Sequence, residues 1–145
     1  MLTSLLGIRL VLWMGSTIPL PAPVSVSSTL SRVEITNDAH GGDGFQMTFT
    51  LTKEKGMEYG LLLGGALEPF TRVVLGVVIG AAPEVLIDGV ITHHQVAPSS
   101  EPGQSTLTVT GRDVSAMLDL EERNEKYENQ PDSVIFAGIV ARYAQ

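Results

Sequence analysis

The stretch Phe45-Gln46-Met47-Thr48-Phe49-Thr50-Leu51-Thr52 alternates apolar and polar side chains without a break. Successive side chains of an extended chain point to opposite faces, so this is a strand with one face in a core and the other against water or a polar neighbour. Upstream, Val33 and Ile35 alternate with Arg32, Glu34 and Thr36, and Asn37-Asp-Ala-His-Gly-Gly-Asp-Gly44 between the two runs collects turn-forming residues. The two runs read as a hairpin.

Working outward, Ile8, Leu10, Leu12 and Met14 fall on one face of a strand and Arg9, Val11 and Trp13 on the other. The same opening resembles a signal peptide, but no Lys or Arg precedes the apolar run and Arg9 interrupts it, so no signal peptide is expected. Prolines at 19, 21 and 23 predict an exposed connector over Gly15–Pro23. Lys53–Tyr59 is polar, and Tyr59–Leu67 is too glycine-rich for a helix and is read as irregular. Thr71–Ile79 is β-branched and apolar on both faces, Glu84–Ala97 is a longer strand, and Leu107 and Val109 alternate with Thr106, Thr108 and Thr110 in a sixth. Asp88-Gly89 allows either a two-residue hairpin turn or a bulge in one continuous strand. The short halves favour the bulge. A loop is expected over Pro98–Gln104.

The period changes at Gly111–Glu122, where Asp113 suits an N-cap and Val114, Met117 and Leu118 share a helical face. A second helix is predicted after Pro131, capped by Asp132, with Ile135, Ile139, Val140 and Tyr143 along one side. From Asp113 to Asp132 there are seven carboxylates and two basic residues, an acidic, solvated tail. The fold class is therefore mainly β with flanking helices: a β-barrel or two packed antiparallel sheets over residues 1–112, then a helical C-terminal segment over 113–145.

With 145 residues, 43% hydrophobic and 17% charged, the chain has core material for one domain and is not a disordered tail. A net charge of −7 and the lack of a basic patch argue against nucleic acid, the lack of Cys removes disulfides and thiol chemistry, and no run is long enough to span a membrane. Chemistry is equally sparse. His93 and His94 are adjacent on a strand and point apart, and His40 lies in a turn, so no metal site is expected. Asn37–Gly44 holds oxygen ligands and tight glycines but lacks calcium-loop spacing, which leaves a hairpin turn. No serine sits in a Gly-x-Ser-x-Gly elbow, Ser115 reads as a helix start, Glu121-Glu122 reads as solvated, and Gly60, Gly64 and Gly65 precede no phosphate-binding Lys-Ser/Thr. No catalytic residue and no cofactor is expected. What stands out is apolar material needing cover: Val11 and Trp13 on the second face of their strand, and Val73, Val74, Leu75, Val77 and Val78, are the expected oligomer interface, with cover from the chain's own helices as the alternative.

Three stretches together resemble a family. They are Val85-Leu-Ile-Asp-Gly-Val-Ile-Thr-His-His-Gln-Val96, Ser105-Thr-Leu-Thr-Val-Thr-Gly-Arg-Asp-Val-Ser-Ala-Met-Leu-Asp-Leu-Glu-Glu122, and Tyr127-Glu-Asn-Gln-Pro-Asp-Ser133 before an Ile-rich helix. This succession is similar to the first, tail-tube-like domain of phage late control protein D and related baseplate hubs of contractile injection systems. The resemblance implies a tube-like β-barrel with a flanking helix, a trimer of two-barrel chains, inner-tube and spike proteins as partners, and cytoplasmic assembly into an injection particle or virion. Such hubs continue toward a second barrel, whereas this sequence stops at Gln145. The expected role is a structural hub or tube-spike adaptor. The competing readings are a small ligand-binding barrel with Phe45, Met47 and Phe49 lining a pocket, and a hydrolase using His93 or His94.

Overall fold

The computed structural model describes residues 7–51, 61, 64–119 and 122–143. The expectations for Thr52, Lys53–Tyr59, Gly60 and Glu121, and for Leu62 and Leu63 of the stretch read as irregular, lie outside these residues. The chain falls into two compact units, Met1–Val114 and Ser115–Gln145.

The first unit holds β1 (Ile8–Gly15), β2 (Leu20–Pro21), a helical turn α1 (Val24–Ser27), β3 (Leu30–Thr36), β4 (Gly44–Leu51), β5 (Arg72–Ile79), β6 (Ala82–Ala97) and β7 (Ser105–Asp113). The seven strands form one antiparallel sheet in the order β2-β1-β5-β6-β7-β4-β3, in place of two packed sheets. A flat sheet of this width would hold its outer strands about 29 Å apart. Yet β2 and β3 are joined by residues 22–29 alone, four of them helical, which reach roughly 23 Å at most. The sheet therefore curls into an open barrel. Leu12 and Met14 of β1, Leu30 of β3 and Val26 of α1 accordingly share one core with the central strands. The proline-rich connector thus does more than link: it carries an edge strand and the turn that plugs the opening.

Phe45, Met47, Phe49 and Leu51 all lie in that core, with Leu75, Ile91, Leu107 and Val109 beside them. Side chains fill the interior, and Met47 and Phe49 are 0% exposed. The β3–β4 connection is the expected turn, in which Asp38 Oδ1 accepts from the His40 N–H at 3.0 Å and Asp43 Oδ1 from the Asp38 N–H at 3.2 Å.

β6 is one continuous strand through Asp88-Gly89, but its bulges fall elsewhere. The register shifts at Leu86, opposite Leu75/Gly76, and at Thr92 between Ile91 and His93. Gly89 and Gly111 instead form a slot for the Phe45 ring. A Cβ at Gly111 would collide with Phe45 Cζ and Cε1, and one at Gly89 with Phe45 Cε1 and the Arg112 carbonyl. The helix expected to start at Asp113 is also displaced. Asp113 ends β7, opposite Gly89, with its N–H donating to the Asp43 carbonyl at 2.9 Å, and only a 3-10 helix, Val114–Asp119, follows. Three apolar positions over five residues fit a 3-10 turn as well as an α-helix, and the sheet ladder claims Gly111–Asp113 first.

The second unit contains α2 (Asp132–Tyr143), with Asp132 in its first turn. Arg142 donates to both carboxylate oxygens of Glu125, at 2.6 and 2.9 Å, and the Tyr127 hydroxyl donates to Glu125 at 2.7 Å.

Replacing Gly111 with Ala wedges a methyl into the Phe45 slot and lowers unfolding stability by about 3 kcal/mol, near the upper end of overpacking costs. Phe49→Ala, which leaves a cavity in a filled core, costs about 3–5 kcal/mol; urea titration measures both.

Candidate functional site: the outer face of the open barrel

Directly paired residues of antiparallel neighbours lie on the same face, so the registers assign every outward side chain to a row. On β3, β4, β7 and the second half of β6 the rows are polar: Glu34, Gln46, Thr110 and His93, then Arg32, Thr48, Thr108 and Gln95. On β1, β5 and the first half of β6 they are apolar. Pro21, Trp13 and Val74 continue to Asp88. Val11, Gly76 and Val85 form the next row, and Val78 and Pro83 follow with Arg9.

Trp13 anchors this apolar region. A Cβ on Gly76 would stand 3.2 Å from Trp13 Cζ3 and 3.3 Å from Val11 Cγ2, so the bare glycine lets the indole lie low over β5 beside Val11. Trp13 and Val11 stay half-buried and Val85 is 60% exposed. Between the apolar and polar regions, Arg72 grips Asp88 with two hydrogen bonds, Nε to Oδ1 at 2.8 Å and Nη2 to Oδ2 at 2.5 Å. Those bonds raise the Arg72 pKa further above its already high value. The neighbouring Val90, flanked by Arg72 and Arg112, is only 5% exposed.

Of the seven expected interface residues, Val11, Trp13, Val74 and Val78 share this outer face. Val77 points to the opposite side, opposite Leu10. Val73 and Leu75 do not belong to any surface: both are 0% exposed and sit in the core. A strand apolar on both faces gives only alternate residues to the outside, so composition alone does not separate Val74 and Val78 from Val73 and Leu75. Gly76 was missed because its contribution is the absence of a side chain.

His93 and His94 lie on opposite faces, His93 in an outer polar row and His94 on the core side, with its Nδ1 3.3 Å from the Leu67 carbonyl oxygen. Among the described residues no three His, Cys, Asp or Glu gather in a metal-holding group. A shallow groove of about 610 Å³ crosses β3, β4 and β7, with Glu34, Gln46, Thr110 and Arg112 among its lining residues. No described helix is long and apolar enough to cross a membrane.

No family model matches the chain, and no curated protein does. Among solved structures it is similar to the 43 kDa tail protein of prophage MuSo2 from Shewanella oneidensis. That match has 19% identity and a TM-score of 0.55, and covers 94% of this chain and 38% of that one. It is also similar to the tail protein from Neisseria meningitidis MC58, at 16% identity and a TM-score of 0.43, over 77% of this chain and 26% of that one. At 19% identity the likeness to the prophage protein is one of fold, and this chain spans well under half the length of either protein.

Two measurements test the described geometry. Trp13 is the single tryptophan, so fluorescence reports the apolar region directly. Gly76→Ala, whose Cβ would also lie 2.9 Å from the Glu84 carbonyl oxygen, lifts the indole, and its emission shifts to longer wavelength with stronger acrylamide quenching. In the second unit, hydrogen bonds from Arg142 and Tyr127 lower the Glu125 pKa to about 2 from 4.5. A depressed carboxyl pKa stabilises the fold above the unfolded value, and that contribution is lost as pH falls toward 2. Arg142→Gln moves the Glu125 midpoint, read by carboxyl carbon NMR, back up toward 4.5.

Proposed function

We propose that this chain is a structural, non-enzymatic component of a phage-tail-like particle, and that it serves as a baseplate hub or tube-spike adaptor of a contractile injection system. The observation that carries this reading is the divided outer face. A closed monomer has no use for Trp13, Val11, Val74 and Val85 on the outside of a barrel whose interior is already filled. A ring of copies, meeting inner-tube and spike proteins, gives these residues cover. The fold shared with a prophage tail protein supports the same reading, as does the sequence resemblance to baseplate hubs. The ring-forming surface is Val11, Trp13, Val74 and Val78, with Val77 on the other face of the same strands. A ligand-binding barrel is the weaker reading, because Phe45, Met47 and Phe49, all on β4, are buried in the core against side chains of the other strands.

Native mass measured by sedimentation velocity across micromolar concentrations tests the proposal. The chain is expected to assemble, alone or with tube or spike partners, and Trp13→Ala is expected to weaken each contact by at least about 2 kcal/mol, roughly 30-fold. Thr48→Ala, on the polar side, leaves assembly unchanged. A wild-type chain that stays monomeric under all these conditions overturns the reading.

A further inference from the structure

Beyond the reach of β7, which pairs with β6 only from Gly89 onward, β1, β5 and β6 run on as a three-stranded flap ending at the Gly80-Ala81 turn. The flap is apolar on both faces. Val11, Val78 and Val85 lie on its outer face, and Leu10, Val77 and Ile79 on its inner one. At its tip Ile79 is 53% exposed and Ile8 46%. Apart from Asp88 at its root, which Arg72 holds, two charges interrupt it, and they are of opposite sign. Arg9, in line with Val78, lies on the outer face of β1, and Glu84, in line with Val77, lies on the inner face of β6. Both are exposed, and among the described residues neither has an ion-pair partner.

This arrangement discriminates between ways of covering the flap. A two-fold contact lays like face on like face, which brings two Arg9 or two Glu84 side chains into one apolar contact while the opposite charge of each flap stays on the far side. A head-to-tail contact lays the outer face of one flap on the inner face of the next and pairs Arg9 with Glu84. Like charges in such a contact are strongly unfavourable and opposite ones fix its register. Edge-to-edge pairing through β6 is hindered by Pro83 on that edge.

We infer that the occupant of the flap's outer face is the inner face of the flap of a second copy of this chain, in a heterologous contact registered by Arg9 of one protomer and Glu84 of the next. This deepens the ring reading above and rests on it. The test uses the full chain with Arg9→Glu, Glu84→Arg and the double exchange, compared with wild type by sedimentation velocity, with circular dichroism to verify folding. Each single exchange is expected to raise the concentration for half-assembly by at least about tenfold. The two exchanges move net charge in opposite directions, so a general charge effect cannot produce both losses. The double exchange is expected to restore assembly to within about threefold of wild type. Single exchanges that assemble like wild type, or a double exchange as weak as the singles, overturn this contact while leaving the ring reading in place. A wild-type chain that never assembles overturns both.

Discussion

The short tie between the two outer strands governs the first unit. Residues 22–29 must connect β2 to β3 across the open side of a seven-stranded sheet, and they are too few to do so unless the sheet curls. Once it curls, the concave face is enclosed and inward residues from Met14 of β1 to Leu30 of β3 join a single core. The convex face then has to be accounted for residue by residue, because among the described residues no element of the first unit lies over it. The division of that face into an apolar and a polar region is thus a consequence of how strands from different parts of the sequence are brought side by side. β1 meets β5, both apolar outward, and β4 meets β7, both threonine-rich outward.

β6 crosses from one region to the other, and its two bulges make this possible. Along an unbroken strand Val85, Ile87, Ile91 and His93 share one face. The extra residue at Leu86 puts Val85 outside while Ile87 stays in the core. The extra residue at Thr92 turns His93 outward and brings Val96 in opposite Leu107. Each bulge exchanges the faces of everything beyond it. The slot made by Gly89 and Gly111 lies between the two bulges, and the Phe45 ring it receives ties β4, β6 and β7 at the point where the alternation is in its middle phase.

These bulges also explain what could be read from sequence and what could not. β4 was legible down to the individual side chain because its alternation is unbroken and one face is wholly buried. β1 was legible for the same reason, including the outward direction of Val11 and Trp13. All six expected strands exist, and the mainly β class with a C-terminal helix holds. Where parity shifts inside a strand, composition gives no sign of it, so Asp88-Gly89 attracted a bulge that belongs at Leu86 and Thr92. Glycine misled in a second way. Gly76, Gly89 and Gly111 act by what they leave room for, an aromatic ring from a distant strand, and such a partner is visible only after the sheet is assembled. The helix expected from Asp113 failed because local propensity was outbid by a ladder with β6 and a hydrogen bond to Asp43.

The edges of the sheet narrow how this chain can associate. β2 is two residues long with prolines at 19, 21 and 23 around it, and β3 carries the Arg32–Glu34 ion pair, 2.6 Å, on its outward row. Short length, proline and charge are the devices by which sheets avoid pairing edge to edge. With both ends of the sheet blunted in this way, its remaining large apolar surface is a face, centred on Trp13, and faces pack by shape and charge where edges pair by backbone alone. Face packing fixes one geometry. Closed assemblies depend on that property, since a ring closes only when every contact repeats the same rotation, whereas strand addition at an open edge tolerates slippage and extends without limit.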